Sequence, residues 1–154
     1  MPLLALLLAL LCIAAGGCGG GGGKGQLDLE EYGRALAALH EAEGEGQLHA
    51  ARLDGGDITF DLVREGPATR VRWTGSSLED TDDDVFAGPY FDLAALTADG
   101  ARELLDAAPV EVDSIAYTAD DRMRLRAELV GEGRTFVSEP AGAPLRELQP
   151  VGGG

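Results

Sequence analysis

The sequence predicts an α+β fold made of two helix-plus-three-strand repeats, with the helices packed on one face of an antiparallel sheet. Three observations favour this fold. Apolar residues recur at helical spacing in two segments, which begin near residues 28 and 97. Other segments alternate apolar and polar residues, as half-buried strands do. Residues 46–66 also align with residues 113–133 without a gap, which indicates a repeated unit.

The start of the chain is apolar and uncharged. Residues 3–15 have the length of a signal-peptide apolar region and are too short for a bilayer span, which takes about 20 residues. Small residues then lead to Cys18. Residues 13–18, Ile-Ala-Ala-Gly-Gly-Cys, resemble a bacterial lipobox, where a small residue precedes a cysteine that becomes lipidated. We therefore interpret residues 1–17 as a signal peptide. An ordinary secretory signal and a core helix are the alternatives.

The lipobox resemblance implies a membrane anchor. Cys18 would become the first residue of the mature chain, and its lipid would hold the protein on the cell membrane or the outer membrane, facing outside the cytoplasm. Residues 18–26 would be a lipidated cysteine and a glycine-rich tether, in which residues 19–25 reach about 15 Å as a flexible coil. Cys12 would leave with the signal peptide, so the folded domain would contain neither a disulfide nor a cysteine metal site.

Residues 27–151 are predicted to form one α+β domain. Its first helix begins at Asp28, an N-cap with Glu31 as its capping-box partner, and ends near Gly44. Alternating patterns predict three strands, around Leu48 and Ala50, at residues 58–62, and around Val71 and Trp73, with a turn at residues 54–57. Trp73 is predicted to face the core.

The second half follows an acidic loop at residues 75–88. Thr97 is the predicted N-cap of the second helix, and Pro109 follows its end. Three further strands are predicted at residues 110–117, 123–130 and 134–138, and the tail around Leu145 and Leu148 is either one more strand or a turn. The repeats would then cover residues 27–75 and 91–139. This layout is similar to that of PepSY-like units and secreted β-lactamase inhibitor proteins, although no diagnostic motif of either is present.

The composition excludes some partners. The chain has 154 residues and a formal net charge of −15, which disfavours binding to nucleic acid and to anionic lipid surfaces. No cofactor motif occurs in the sequence, so no cofactor is predicted.

The acidic loop is a weak candidate for a calcium site. Asp80, Asp82 and Asp84 stand at positions 1, 3 and 5 of an EF-hand-like pattern. Val85 then occupies the position that needs glycine, and Phe91 the position that needs a bidentate glutamate. A solvated acidic loop is the simpler interpretation, and no metal is assigned.

Basic residues form a candidate surface for binding a partner. Arg122, Arg124 and Arg126 alternate with apolar residues, so a strand would project all three from one sheet face. Trp73 is a further candidate contact for the same partner. Thr59, Asp61, Arg70 and Arg72 are predicted to point outward on other strands. Cross-strand ion pairing on a solvated face is the simpler alternative.

No catalytic set can be assembled from the sequence. His40 and His49 are the only histidines, and Ser76 and Ser77 lack the Gly-x-Ser-x-Gly pattern of a nucleophile elbow. We therefore expect a non-enzymatic, lipid-anchored envelope protein that binds an unknown envelope protein or ligand, or has a structural role. The alternatives are a secreted or anchored ligand carrier or inhibitor with an exposed sheet face, and a hydrolase with an unrecognised site.

Overall fold

The computed structural model describes residues 26–85 and 87–150. Cys18, the predicted signal peptide and most of the predicted tether lie outside the described residues. The described part contains helices α1 (Leu29–Glu43) and α2 (Ala98–Ala107) and a short 3-10 helix (Leu93–Ala95). Its strands are β1 (Gln47–Asp54), β2 (Asp57–Leu62), β3 (Thr69–Trp73), β4 (Leu78–Asp80), β5 (Phe91–Asp92), β6 (Ser114–Ala119), β7 (Leu125–Gly131), β8 (Arg134–Ser138) and β9 (Arg146–Leu148). No helix among the described residues is long and apolar enough to cross a membrane.

Both α-helices begin at their predicted N-caps. The Asp28 carboxylate accepts a hydrogen bond from the Glu31 N–H at 2.9 Å, and the Thr97 hydroxyl accepts one from the Gly100 N–H at 2.9 Å. Each bond satisfies an N–H group that has no partner within its helix. Helix α1 ends at Gly44, whose φ of 61° favours glycine. The local signals in the sequence therefore predicted the limits of α1 correctly.

The second half of the predicted capping box does not form. Instead of reaching back to the N-cap, the Glu31 carboxylate accepts a hydrogen bond from the Trp73 indole N–H and pairs with Arg34. Glu31 thus links α1 to β3, a contact that joins residues distant in sequence.

The nine strands form one antiparallel sheet. Its order is β4-β3-β2-β1-β6-β7-β8-β9, and β5 also pairs with β1. This confirms the predicted α+β class and the antiparallel sheet. The prediction of three strands after each helix is not confirmed, because β4 lies within the segment predicted as a loop, β5 precedes α2, and the tail adds β9.

One hydrophobic core lies between the helices and one face of the sheet. Tyr32 and Leu39 of α1 and Leu104 of α2 belong to the same buried cluster as Phe60 and Leu129 of the sheet. We call this sheet face the inner face. Side chains alternate along a strand, so the intervening residues project from the opposite face, which we call the outer face. Neither described helix lies on the outer face.

The segment between α2 and β6 contacts the end of strand β7, and β6 starts later than predicted. Strand β6 begins at Ser114 and not at Val110, because residues 111–113 run against the end of β7. The Asp113 N–H donates to the Val130 carbonyl at 2.7 Å. A Cβ atom on Gly131 would overlap the carbonyl of Glu111, so a glycine is needed for this approach.

Candidate functional site

The outer face is an open surface with arginines distributed across the sheet. The strand register places Arg52, Arg70, Arg72, Arg126 and Arg146 at outward positions on four strands. Small or short side chains lie between them, including Ala50, Ala116 and Thr118. These are five of the 12 basic residues of a chain whose net charge is −15. The same register also places five carboxylates on this face: Asp54, Asp57, Asp61, Glu79 and Glu128. The strands of the outer face are therefore close to neutral, whereas the chain as a whole is strongly acidic.

Asp61 holds two of these arginines. Its side chain is 4% exposed and lies 2.7 Å from Arg52 Nη1 and 2.6 Å from Arg70 Nε. Burial raises the pKa of Asp61, but the hydrogen bonds from Arg70 and Arg52 outweigh it, so the pKa lies below its ordinary value. The same pairing raises the pKa of Arg70. Asp61 is therefore an ionised carboxylate that orders the centre of the outer face.

Most other outward arginines are also paired. Arg72 lies 3.1 Å from Asp57, and Arg126 lies 2.9 Å from Glu128 and 3.8 Å from Glu139. These contacts match the simpler alternative of cross-strand ion pairing. Because they are partly exposed, each contributes little to stability.

The three arginines predicted to share a strand do not all lie on one. Strand β7 begins at Leu125, so Arg126 projects from the outer face while Arg122 lies in the turn before the strand. Asp120 closes this turn, accepting from the N–H groups of Arg122 at 2.9 Å and Arg124 at 2.8 Å. Met123 has a φ of 60°, which breaks the alternation on which the prediction rested.

The turn favours the ionised form of Asp120. Burial raises the pKa of Asp120, but hydrogen bonds from the N–H groups of Arg124 and Arg122 and from the Arg124 guanidinium outweigh this effect. The pKa of Asp120 therefore lies below its ordinary value. The Arg124 Nε lies 2.8 Å from the Asp120 carboxylate. Arg124 is thereby held in place.

A depression of about 310 Å³ nevertheless brings two of the predicted arginines together with a third. Arg122, Arg124 and Arg146 line it together with two acidic residues, Asp121 and Glu139, so basic residues outnumber acidic ones by one. Within the described residues, the side chains of Arg122 and Arg146 form no ion pair. Planar guanidinium groups suit carboxylates and phosphates because they donate two parallel hydrogen bonds. This arginine depression can therefore hold an anionic group.

Trp73 does not lie with these arginines. Its ring belongs to the core cluster and its indole N–H donates to Glu31 of α1. The prediction that Trp73 faces the core was correct. Trp73 cannot form one contact surface with Arg126, because Trp73 points to the inner face and Arg126 to the outer face.

The three aspartates of the acidic loop do not converge. Asp80 ends β4 and lies 3.8 Å from Arg64, whereas Asp82 and Asp84 are exposed. Their neighbour Asp83 accepts a hydrogen bond from Thr81 and lies 3.7 Å from Arg70. No group of three or more His, Cys, Asp or Glu side chains suited to a metal ion occurs in residues 26–85 and 87–150.

The histidines also lie apart. His40 is exposed in the last turn of α1, and His49 Nδ1 lies 3.3 Å from the carbonyl oxygen of Pro89. Ser77 bonds with Thr74 in a surface turn. None of the described contacts places one of these serines beside a histidine, as a nucleophile and its base would require.

Sequence reasoning missed two members of the outer face. Arg52 lies beyond an irregular step in the register between Leu48 and Ala50, so simple alternation from Leu48 assigns it to the wrong face. Arg146 lies in the tail, where three residues give too little pattern to identify a strand. Outward positions for Arg70 and Arg72 were predicted correctly from the alternation in β3.

Comparison with known proteins identifies no relative of this chain. No protein-family model, no curated protein and no solved structure matches the chain at a significant level.

Proposed function

We propose that this chain is a non-enzymatic, lipid-anchored protein of the bacterial cell envelope that binds an acidic segment of a protein partner on its outer face. The single observation that carries the binding role is the outer face, which no described helix covers and which presents five arginines on four strands of an acidic protein. The lipobox-like segment and the glycine-rich tether support the anchor.

The described residues next to the tether are consistent with such an anchor. Gln26 is exposed and Leu27 is buried, so the fold begins directly after the glycine-rich segment. Leu27 precedes α1, which lies on the inner face. A tether that starts there would leave the outer face accessible to a partner in the envelope.

The arginine depression favours a carboxylate-rich partner. Arg122 and Arg146 are exposed and have no ion pair among the described residues, so a partner can bind them without first breaking one. Arg52 and Arg70 share the single carboxylate of Asp61, so this group has one excess positive charge and would add electrostatic attraction at longer range. We expect such attraction to weaken as salt concentration rises.

The anchoring part has a direct test. Mass spectrometry of the mature protein should find an N-terminal lipidated Cys18 and no residues 1–17. In the producing cells, Cys18→Ser should move the protein from the membrane fraction to the soluble fraction, whereas Cys12→Ser should leave it in the membrane. An unmodified Cys18, or a mature chain that begins at Met1, would contradict the anchor.

The binding face needs a test that separates it from general charge. Arg122→Glu combined with Arg146→Glu should reduce capture of a bound envelope protein at least tenfold in quantitative cross-linking. Arg34→Glu combined with Arg102→Glu makes the same charge change on the two helices and should leave capture unchanged. Equal loss with both double variants, or equal retention with both, would reject the outer face as the binding surface.

A ligand carrier or inhibitor is the second candidate function. Its supporting observation is that no described helix covers the outer face, although Ala50 and Thr59 at its centre are themselves buried. An inhibitor would capture one enzyme and lower its activity, whereas an envelope adaptor would not. Activity assays on the captured partner would therefore distinguish these two functions.

We also propose that the domain contains two related halves. The order of strands is the same when read outward from either side of the β1–β6 pair, and α1 contacts α2. The ungapped alignment places β2 over residues 124–129 of the β7 region. The correspondence requires a shift at the next strand, because the link between β2 and β3 is longer than the turn between β7 and β8.

A further inference from the structure

A second cavity lies on the inner side of the sheet and shares Pro144 of the β8–β9 loop with the arginine depression. It has a volume of about 380 Å³, within the range of pockets that hold small molecules. Leu104 and Ala107 of α2 line one side, and Leu145 lies in the β8–β9 loop on another. Tyr117 of β6 and Leu125 of β7 also line this inner cavity. It is predominantly apolar, and Glu103 is the one charged side chain among its described lining residues.

The loop that forms one wall is held in place by hydrogen bonds. Ser138 is fully buried; its hydroxyl donates to the Ala143 carbonyl at 2.6 Å and accepts from the Gly142 N–H at 3.0 Å. The Ala141 N–H donates to the Leu125 carbonyl at 2.6 Å. The cavity is therefore formed before a ligand arrives, which lowers the entropic cost of binding.

Tyr117 provides a polar group in this apolar surface. The residue is 3% exposed and lines the cavity, and none of the side-chain hydrogen bonds among the described residues involves its hydroxyl. Burial raises the pKa of Tyr117, so the phenol stays neutral and can both donate and accept a hydrogen bond. Its hydroxyl is not among the fully buried polar atoms without a partner, so it keeps some exposure.

Tyr32 shows that the interior around Tyr117 has few polar partners. The Tyr32 hydroxyl is buried and also has no hydrogen-bond partner among the described residues. Burial raises the pKa of Tyr32 strongly, and the nearby Tyr117 raises it further. The protein therefore leaves the hydrogen-bonding capacity of Tyr117 open to another molecule.

From these observations we propose that the inner cavity binds a compact, uncharged and mainly apolar small molecule that forms one hydrogen bond with the Tyr117 hydroxyl. An anionic ligand is disfavoured because Glu103 lies at the cavity and the chain has a net charge of −15. Glu103 is exposed, so a cationic ligand that enters the apolar part of the cavity would lose hydration without a buried counter-charge. This site does not depend on the function proposed for the outer face.

The test uses N-phenyl-1-naphthylamine, a neutral fluorescent probe with one N–H group. We expect saturable binding with one site per chain. Ala107→Trp should fill the cavity and weaken binding at least tenfold. Ala94→Trp introduces the same side chain at an exposed alanine outside the cavity and should bind as the unmodified protein does. Circular dichroism establishes that each variant is folded.

The role of the hydroxyl is tested separately. Tyr117→Phe should weaken binding of N-phenyl-1-naphthylamine by about two- to twelvefold, the range for one hydrogen bond. It should leave binding of 1-benzylnaphthalene unchanged, because this analogue has a methylene in place of the N–H. Absence of saturable binding, or equal affinities for the Ala107→Trp and Ala94→Trp variants, would overturn the site. Equal effects of Tyr117→Phe on both probes would overturn the hydrogen bond.

Discussion

Gly131→Ala is expected to lower the free energy of unfolding by about 3 kcal/mol or more. The added Cβ would overlap the Glu111 carbonyl and press against Val112. Both contacts are with backbone atoms, so rotation of a side chain cannot relieve them. Relief requires residues 111–113 to move off β7, which would break the hydrogen bond from Asp113 to Val130. Urea unfolding followed by circular dichroism measures the change.

Gly56→Ala is the matched control. Gly56 lies between β1 and β2, has no atom within 4 Å of an added Cβ, and does not have a positive φ of the kind that penalises alanine. We expect its free energy of unfolding to stay within about 0.5 kcal/mol of the unmodified protein. If Gly131→Ala were as stable as Gly56→Ala, the close approach of residues 111–113 to β7 would be wrong.

Asp61→Asn is expected to lower the free energy of unfolding by about 2 kcal/mol at pH 7. Removing one charge from a buried ion pair costs about 3–5 kcal/mol, and the exposure of Arg52, whose side chain is 43% exposed, reduces that cost. Asparagine keeps the shape of the side chain while it removes the charge that holds Arg52 and Arg70. Chemical unfolding at a series of pH values measures the effect.

The lowered pKa of Asp61 determines how the stability effect of Asp61→Asn changes with pH. The pKa of Asp61 is lower in the folded chain than in the unfolded chain, so the carboxylate stabilises the fold above its unfolded pKa of about 3.9. This contribution is lost as the pH falls through the lowered folded pKa. The stability difference between the unmodified protein and Asp61→Asn should therefore shrink as the pH falls from 7 toward 3.

Asp57→Asn is the control for charge removal on the same face. Asp57 is exposed and pairs with the exposed Arg72, so its loss should change the free energy of unfolding by less than about 1 kcal/mol. A stability difference for Asp61→Asn that stayed constant from pH 7 to pH 3 would show that the charge of Asp61 is not its cause.

Local sequence signals predicted those features that depend on near neighbours. The N-caps Asp28 and Thr97 were correct because a cap bonds to an N–H three residues away. The alternation in β2 identified its inward side chains, because successive residues of a strand point to opposite faces. Strand β8 was predicted with its observed limits for the same reason.

Predictions failed where a distant contact or an irregular turn decided the structure. Glu31 bonds with Trp73, 42 residues away, and so does not complete its capping box. Asp120 folds residues 120–124 into a turn, which removes Arg122 from the strand to which its alternation assigned it. Strands β4 and β9 have only three residues each, so their pattern is too short to identify them without a pairing strand.

Composition and short-range spacing were enough to predict the α+β class, the starts of both helices, the acidic charge and the resemblance of residues 13–18 to a lipobox. They did not show which arginines share the outer face, why Gly131 must lack a side chain, or that Tyr117 lines an apolar cavity. Those features depend on strand register and on packing between residues far apart in the chain. Strand register and long-range packing are determined by pairing across the whole sheet, and the periodicity within one segment carries no information about them.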